Sequence, residues 1–216
     1  MLADHFPLLN LRLSTPRLEL RLPSPEELGA LAELAAEGIH APEEMPFVTP
    51  WTDRPPAEVA RNVIHHHWQT LGAWEPRKWS LDLCVLHAGV VVGMQIISAN
   101  DLAITREVDT GSWLGKRHHG QGIGTEMRAA VLHLAFVGLE AEEATSAAFV
   151  TNHASHAVSR KLGYRTDGID RCVVRGAMVP DVRLRLSRAD WDHHRTVPVT
   201  IEGLTPCLPL LGLTAP

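Results

Sequence analysis

The sequence has few cysteines and no long apolar run. Its 216 residues include only Cys84, Cys172 and Cys207, which share no short spacing and form an odd set. A disulfide framework and a Cys-x-x-Cys metal knuckle are therefore disfavoured, and a reduced compartment, the cytoplasm, is expected. No apolar run approaches about 18 residues, and residues 1–12 carry an acid and a short apolar patch, so neither a membrane span nor a signal peptide is expected.

An excess of positive charge is also missing. The 20 Lys and Arg are outnumbered by 25 Asp and Glu, which gives a formal net charge of −5. Nucleic-acid and anionic-membrane surfaces need clustered excess Lys and Arg, so we expect neither partner. With 45% hydrophobic and 21% charged residues, the chain fits one α/β domain that handles small molecules or peptides.

Strand and helix patterns alternate along the chain. Residues 15–22 alternate leucine with charged residues, which predicts a half-buried strand. Ser24, Pro25 and Glu27 form a capping box that predicts a helix to about residue 38, and a loop with five prolines follows from 40 to 56. The further predicted elements are helices 57–71, 124–138 and 152–162, and strands 79–86, 90–98, 107–114, 143–150, 168–176 and 179–186.

A glycine-rich loop joins one of these strands to a helix. Residues 113–126 contain Arg-x-x-Gly-x-Gly followed by a third glycine, Gly124. A diphosphate needs several backbone N–H groups that converge at a helix start, and glycines let the backbone approach. A Rossmann site is disfavoured because the loop follows several strands, and Walker A is excluded because no Gly-Lys-Ser/Thr follows. A simple strand-to-helix turn remains the alternative.

Several motifs resemble one family. The Arg-x-x-Gly-x-Gly of residues 117–122 resembles the acyl-CoA-binding signature of the GNAT superfamily. The segments 15–18 (Thr-Pro-Arg-Leu), 111–114 (Gly-Ser-Trp-Leu), 152–155 (Asn-x-x-Ser) and 161–164 (Lys-Leu-Gly-Tyr) are similar to its RimJ/RimL-like branch. The chain is also similar to an actinobacterial subgroup that includes a mycobacterial succinyltransferase.

The resemblance implies a fold and a cofactor site. The fold would be the α/β (α+β) GNAT fold, with a mixed, mostly antiparallel twisted sheet of six to seven strands and about four helices. It would comprise residues 1–196, with a tail 197–216 packed on the domain or on the partner of a homodimer. Pantetheine would run between two splayed strands that end at Leu114 and Val150, with Lys116 adding charge. The implied cofactor-binding residues are Trp113, Leu114, Gly115, Arg117, His119, Gly120, Gln121, Gly122, Ile123, Gly124, Thr125, Asn152 and Ser155.

The implied reaction is acyl transfer from acetyl-CoA or succinyl-CoA directly to a primary amine of a protein or small molecule. Such a reaction needs a base for the amine and an acid for the CoA thiolate. Asp109 is the candidate base, with Glu107 on the same strand face. Ser155, with Ser159 behind it, is the candidate acid, although Ser155 could instead bond its own helix, and Asn152 could serve only as a helix cap.

Three other features bear on the chemistry. The histidine runs 65–67, 118–119 and 193–194 lack the three- or four-residue spacing of helical metal sites, so no metal is predicted. Cys84 has no adjacent base, which favours direct transfer over an acyl-cysteine, and Trp51 could wall an acceptor pocket. A non-catalytic CoA-sensing or interaction module on the same fold is the competing hypothesis.

Overall fold

One twisted sheet organises the chain. The computed structural model describes residues 1–214. Within them the sheet has nine strands in the order β7-β8-β6-β5-β4-β3-β2-β1-β9. The strands are β1 Arg12–Ser14, β2 Leu18–Arg21, β3 Lys78–His87, β4 Val90–Asn100, β5 Glu107–Leu114, β6 Glu143–Phe149, β7 Arg165–Val174, β8 Ala177–Ser187 and β9 Thr200–Glu202.

Helices cover both faces of this sheet. They are α1 Leu2–His5, α2 Pro25–Ala36, α3 Pro56–Gly72, α4 Leu102–Thr105, α5 Ile123–His133, α6 His153–Lys161 and α7 Arg188–His194. A π-helical turn, Leu134–Gly138, extends α5. The capping box that predicts α2 is present, because Ser24 accepts a bond from the amide of Glu27, whose carboxylate accepts one from the amide of Ser24.

Two apolar cores lie on opposite faces of the sheet. The larger one packs α5, with Met127 and Phe136, against the central strands and the C-terminal segment. The smaller one packs α2 and α3 against Cys84 and Met94. We call these the α5 face and the α2/α3 face.

The central strands β5 and β6 separate partway along their length. They are the one parallel neighbouring pair among the described strands, and they pair only from Glu107 with Glu143 to Asp109 with Thr145. Beyond this point β5 continues along β4 to Leu114 and β6 continues along β8 to Phe149. The result is a wedge-shaped gap between β5 and β6, closed at Asp109 and open toward the glycine-rich loop.

The sheet is larger than the six to seven strands predicted. The additional strands β1 and β9 have three residues each, too few to give a period-two pattern. β9 pairs with β1, and Cys207, Leu208 and Leu211 beyond it are buried in the larger core. The tail up to residue 214 thus packs on its own chain, whereas residues 215–216 of the predicted tail lie outside the described residues, and the boundary at 196 stays a prediction.

Three short helices, α1, α4 and α7, were not predicted from the sequence. The first two span four residues each and α7 spans seven, lengths at which helical periodicity gives little signal. None of the helices in residues 1–214 is long and apolar enough to cross a membrane.

Candidate active site

The glycine-rich loop presents free backbone amides at the open end of the gap. Gly120 and Gly122 adopt left-handed backbone angles, with φ of 73° and 77°, which glycine tolerates best. The amides of residues 120–124 have no acceptor among the described residues, whereas those of His119 and Thr125 bond to the carbonyls of Lys116 and Gly122, each at 3.2 Å. Five consecutive N–H groups, before and within the first turn of α5, are therefore free to donate to an anion.

The Thr-Pro-Arg segment before β2 holds this loop in place. Arg17 donates from Nε to the Glu126 carboxylate at 2.7 Å and from Nη1 to the carbonyl of Gln121 at 3.1 Å. The Thr15 hydroxyl donates to the same carboxylate at 2.6 Å. Burial alone would raise the pKa of Glu126, but these hydrogen bonds hold that pKa below its usual value. The role of Arg17 was not identified from the sequence, although the motif that contains it was.

Two other groups at the loop already have partners. Arg117 forms an ion pair with Glu37 at the end of α2, so part of its charge is neutralised. The amide of Gly115 donates to the Val92 carbonyl at 3.0 Å, and a Cβ on Gly115 would lie 2.4 Å from Leu34. Gly115 therefore serves close packing against α2.

Alternation along β5 decides which backbone groups face the gap. Because the amide of Gly115 points to β4, the backbone groups of Leu114 and Ser112 point to the other side. The carbonyl of Leu114 lies 3.1 Å from Nε2 of His119. The backbone of Ser112 and the amide of Leu114 are thus oriented toward the gap, as an added strand would require.

Asn152 and Ser155 lie where β6 leads into α6. The side-chain oxygen of Asn152 accepts a bond from the amide of Ser155 at 3.1 Å, so Asn152 is a helix cap. Its amide nitrogen and the Ser155 hydroxyl make no hydrogen bond within residues 1–214. Both groups remain available to a ligand in the gap.

Asp109 lies at the closed end of the gap, on the α2/α3 face. Its carboxylate accepts a bond, at 3.0 Å, from the hydroxyl of Thr145 on β6. Asp109 is an exposed residue of β5, yet the protein around its carboxyl group partly desolvates it, and this desolvation raises the pKa of Asp109 above its ordinary value. A carboxylate with a raised pKa and no cationic partner in contact is suited to accept a proton.

A buried arginine on the α5 face was missed by the sequence analysis. Arg128 is 4% exposed and donates to the hydroxyls of Ser159, at 3.0 Å, and Ser112, at 3.2 Å. Its Nε has no acceptor, and no carboxylate of the described residues pairs with it. A signal was present, because Arg128 is the one cation in the otherwise apolar stretch 127–132 of α5. Burial lowers the pKa of Arg128, yet a guanidinium remains charged in a protein.

Hydroxyl groups surround this arginine near the closed end. The hydroxyls of Thr110 and Tyr164 lie 2.9 Å apart, and Ser146 donates to the Thr110 carbonyl across the gap at 2.9 Å. Burial raises the pKa of Tyr164 to about 12, so this phenol stays protonated near neutral pH. The interior of the gap is polar and cationic rather than purely apolar.

Aromatic rings cover the gap on the α2/α3 face. The ring of Trp113 on β5 lies 6.0 Å from that of Trp51, which lies 5.4 Å from Phe47 in the loop between α2 and α3. Asp53 of that loop accepts two hydrogen bonds, at 2.7 and 2.5 Å, from Arg175 at the tip of the β7–β8 hairpin. The loop is anchored on β5 and the hairpin lies beyond β6, so this ion pair bridges the two sides of the gap.

The remaining candidates for chemistry lie elsewhere. No group of three or more His, Cys, Asp or Glu in the described part of the chain is arranged to hold a metal ion. Cys84 is buried in β3, and burial raises the pKa of its thiol to about 12. Such a thiol is a poor nucleophile.

Comparison with known proteins identifies the family. The family described as "Acetyltransferase (GNAT) domain" matches residues 17–165, which include the gap, the glycine-rich loop and α6. The chain belongs to this family, and its sheet and helices are the predicted GNAT fold. It is thus a GNAT N-acetyltransferase by family.

Individual relatives are distant. A protein of Bacillus subtilis (strain 168) named "Putative ribosomal N-acetyltransferase YdaF" is 26% identical over 183 residues, 81% of this chain and 93% of that protein. The structure of RimL, a ribosomal L7/L12 alpha-N-protein acetyltransferase in complex with coenzyme A, is 20% identical with a TM-score of 0.62, over 80% of this chain and 95% of RimL. Mycobacterium smegmatis RimJ in complex with CoA-disulfide is 18% identical with a TM-score of 0.63, over 84% of this chain and 89% of RimJ. At these identities the two structures support the shared fold alone.

Proposed function

We propose that this enzyme transfers an acyl group from a CoA thioester directly to the α-amine of a protein in the cytoplasm. The observation that carries the proposal is the row of free amides at residues 120–124, located at the open end of a gap whose closed end holds Asp109. The three unpaired cysteines accord with a reducing compartment.

CoA fits this arrangement at two places. The N–H groups of residues 120–124 would bind the diphosphate, with the dipole of α5 behind them. Pantetheine would pair with the backbone of Ser112 and Leu114 in place of a strand. The free amide nitrogen of Asn152 is a further donor on the β6 side. Arg117 would contribute less charge than the sequence suggests because Glu37 pairs with it.

The chemistry needs two proton transfers. A neutral amine attacks the thioester carbonyl to give a tetrahedral oxyanion, which collapses to an amide and a CoA thiolate. Asp109 would accept the proton that the amine loses, Ser155 would donate its own proton to the thiolate, and exchange with water would then remove the proton from Asp109 and restore that of Ser155. Ser159 is fully buried and accepts its hydrogen bond from Arg128, which leaves its own proton free to support Ser155.

The lower pKa of α-amines favours an α-amine over lysine as the acceptor. An α-amine has a pKa near 8 and lysine one near 10.4, so deprotonation at pH 7 costs about 1.4 kcal/mol in the first case and more than about 4 kcal/mol in the second. A carboxylate base is adequate for the smaller cost. YdaF is named as a ribosomal N-acetyltransferase and RimL as one for ribosomal L7/L12, so ribosomal proteins are the first acceptors to test.

Arg128 supports succinyl-CoA as a donor beside acetyl-CoA. A buried guanidinium without a carboxylate partner is costly, and the carboxylate of a succinyl group would neutralise it. The hydroxyls of Thr110, Ser112 and Tyr164 also suit a polar acyl chain better than a methyl group. Acetyl-CoA would leave the cation uncompensated.

A homodimer is also proposed. Ile169, Val173 and Met178 on the β7–β8 hairpin are 60%, 73% and 49% exposed, and apolar side chains at a sheet edge favour self-association. Light scattering of the full chain should give twice the monomer mass, and a monomer mass at micromolar concentration would reject the dimer.

The donor site is tested by calorimetry with acetyl-CoA and succinyl-CoA. Gly122→Ala forces a side chain onto a φ of 77° inside the amide row, whereas Gly89→Ala does so at the same φ in the β3–β4 turn, outside the amide row. The strain is matched, so Gly122→Ala should weaken thioester binding at least about tenfold more than Gly89→Ala. Equal effects of the two variants would reject the amide row as the donor site.

Catalysis is tested separately from binding. Peptides with free N-termini are incubated with the bound thioester and analysed by mass spectrometry. An acylated N-terminus supports the transferase, whereas tight thioester binding without transfer to α-amines, lysines or small amines favours the non-catalytic CoA-sensing module.

A further inference from the structure

Arg185 on β8 binds carboxylates from three other strands. Its guanidinium donates to Glu107 of β5 at 2.5 Å, to Glu143 of β6, and to Asp167 of β7 at 3.0 Å. Hydrogen bonds to these three carboxylates, that of Glu107 first, raise the pKa of Arg185. Three negative charges from the closed end of the gap thus converge on one cation.

The strand register puts this cluster beside Asp109. Arg185 is opposite Thr145 on β6, which is opposite Asp109 on β5, so the three residues form one row across the sheet. Glu107 and Glu143 form the adjacent row. Residues two apart on a strand share a face, roughly 7 Å apart. All five side chains therefore lie on the α2/α3 face.

Neighbouring charges affect the ionisation of the Asp109 carboxyl group, and Arg185 neutralises some of them. Arg128 acts from the opposite face and favours ionisation of Asp109, whereas Glu107 is a like charge that disfavours it. Neutral partners complete the surroundings, namely the hydroxyl of Thr145 and the buried phenol of Tyr164. Without Arg185, Glu107 and Glu143 would both be uncompensated anions at this end of the gap.

We infer that Arg185 is a positioning residue of the acyl transfer reaction. It neutralises Glu107 and Glu143 and leaves Asp109 as the single unpaired carboxylate of the cluster, which favours the ionised form of Asp109. It also ties β5, β6 and β7 to β8 where the gap closes. The inference rests on the proposed role of Asp109 as the base, but its electrostatic part can be measured without any acyl transfer.

The experiment is a titration of the Asp109 carboxyl carbon by ¹³C NMR, with the resonance assigned by its loss in Asp109→Asn. Arg185→Met should move the titration midpoint upward by about 0.5 to 1 pH unit, because a neighbouring anion is unmasked. Arg183→Met is the control, since Arg183 lies two residues away and contacts Asp170 and the carbonyl of Asp167. It should leave the midpoint unchanged.

A second variant distinguishes an electrostatic effect of Arg185→Met from a structural one. The double variant Arg185→Met/Glu107→Gln removes the cation together with its nearest anion, and it should return the midpoint toward the wild-type value. An Arg185→Met midpoint equal to the wild-type value, or a double variant as shifted as the single one, would overturn the inference. Because no substrate is present, such a result leaves the proposed function itself intact.

Discussion

The hydroxyl of Thr145 donates a hydrogen bond to Oδ2 of Asp109 across the last residue pair that joins β5 and β6. One bond thus marks the end of the parallel ladder and fixes the candidate base at the closed end of the gap. The same hydroxyl also lies 3.2 Å from the carbonyl of Val108, so its one proton is shared between the Asp109 side chain and the backbone of β5.

Asp109→Asn should lower kcat/KM by about 10² to 10⁴-fold, the usual contribution of a general base. Thioester affinity should not change, because Asp109 lies away from the amide row. The pKa of Asp109 is raised, so the acid limb of the wild-type pH profile should lie above the ordinary carboxyl pKa of about 3.9. Steady-state kinetics and calorimetry check both statements. A variant with wild-type turnover would remove Asp109 from the mechanism.

The same substitution should affect stability in the opposite direction. The folded state holds the Asp109 proton more tightly than the unfolded chain, so ionisation costs stability as pH rises from about 3.9 through the folded pKa. Asp109→Asn should therefore be more stable than wild type at pH 7 and equal to it below about pH 3.9. Urea unfolding at the two pH values measures this, and a destabilised variant at pH 7 would contradict it.

Arg128→Met should change donor preference. Loss of a charge-assisted hydrogen bond should lower kcat/KM for succinyl-CoA about 10 to 100-fold more than for acetyl-CoA. Met replaces a buried cation that has no carboxylate partner, so the fold should survive. Arg160→Met, on the exposed side of α6, serves as the control. Equal losses with both donors would mean that Arg128 does not contact the acyl chain.

The ion pair between Arg17 and Glu126 should matter more than a surface pair. Glu126 is buried and accepts bonds from Arg17 and Thr15, so Arg17→Met should lower the free energy of unfolding by about 1 to 3 kcal/mol. Arg12→Met is the matched control, because the Arg12 and Glu19 side chains are 45% and 39% exposed. Its cost should be about 0 to 1 kcal/mol. Chemical denaturation that ranked the two variants in the reverse order would refute this comparison.

His66 should make the attachment of α3 depend on pH. Its Nε2 lies 3.0 Å from Oδ2 of Asp82, a buried residue of β3, and this carboxylate raises the pKa of His66. The resulting stability is fully present below the unfolded pKa of about 6.5 and is lost as pH rises through the folded pKa. His66 is largely exposed, so His66→Gln should cost only about 0.5 kcal/mol at pH 5.5.

At pH 9 the His66→Gln variant should match wild type. His65→Gln, on the same helix, should match wild type at both pH values. A pH-independent loss in His66→Gln would show that the imidazole contributes by packing rather than by charge.

Long periodic elements were predictable, and the charge relationships between distant residues were not. The alternation in β5 and the glycines before α5 fixed that strand and the start of the helix to within one residue. The contacts of Arg128, Arg17 and Arg185 join residues that are 16 to 109 positions apart. A pattern read along the chain carries no information about such distances.

Some hydrogen bonds at the candidate cofactor site could not be predicted from the sequence. The sequence predicted that the amides from His119 to Thr125 and backbone groups near Gly115 would face a ligand, but it could not show which of these amides bond within the protein. The amides of His119, Thr125 and Gly115 donate hydrogen bonds within the protein. They bond in the 3₁₀ turn before the loop, in the first turn of α5 and in the ladder with β4, respectively. The roles of Ser155 and Ser159 stay predictions.

The two faces of the sheet have a kinetic consequence. The amide row lies at the start of α5, and the aromatic loop with Trp51 covers the same gap from the side of α2 and α3. A donor bound along one side leaves the other side for the acceptor, so both substrates can be bound at the same time. No covalent acyl-enzyme intermediate is then needed. Initial-rate plots against the two substrates should then intersect rather than run parallel.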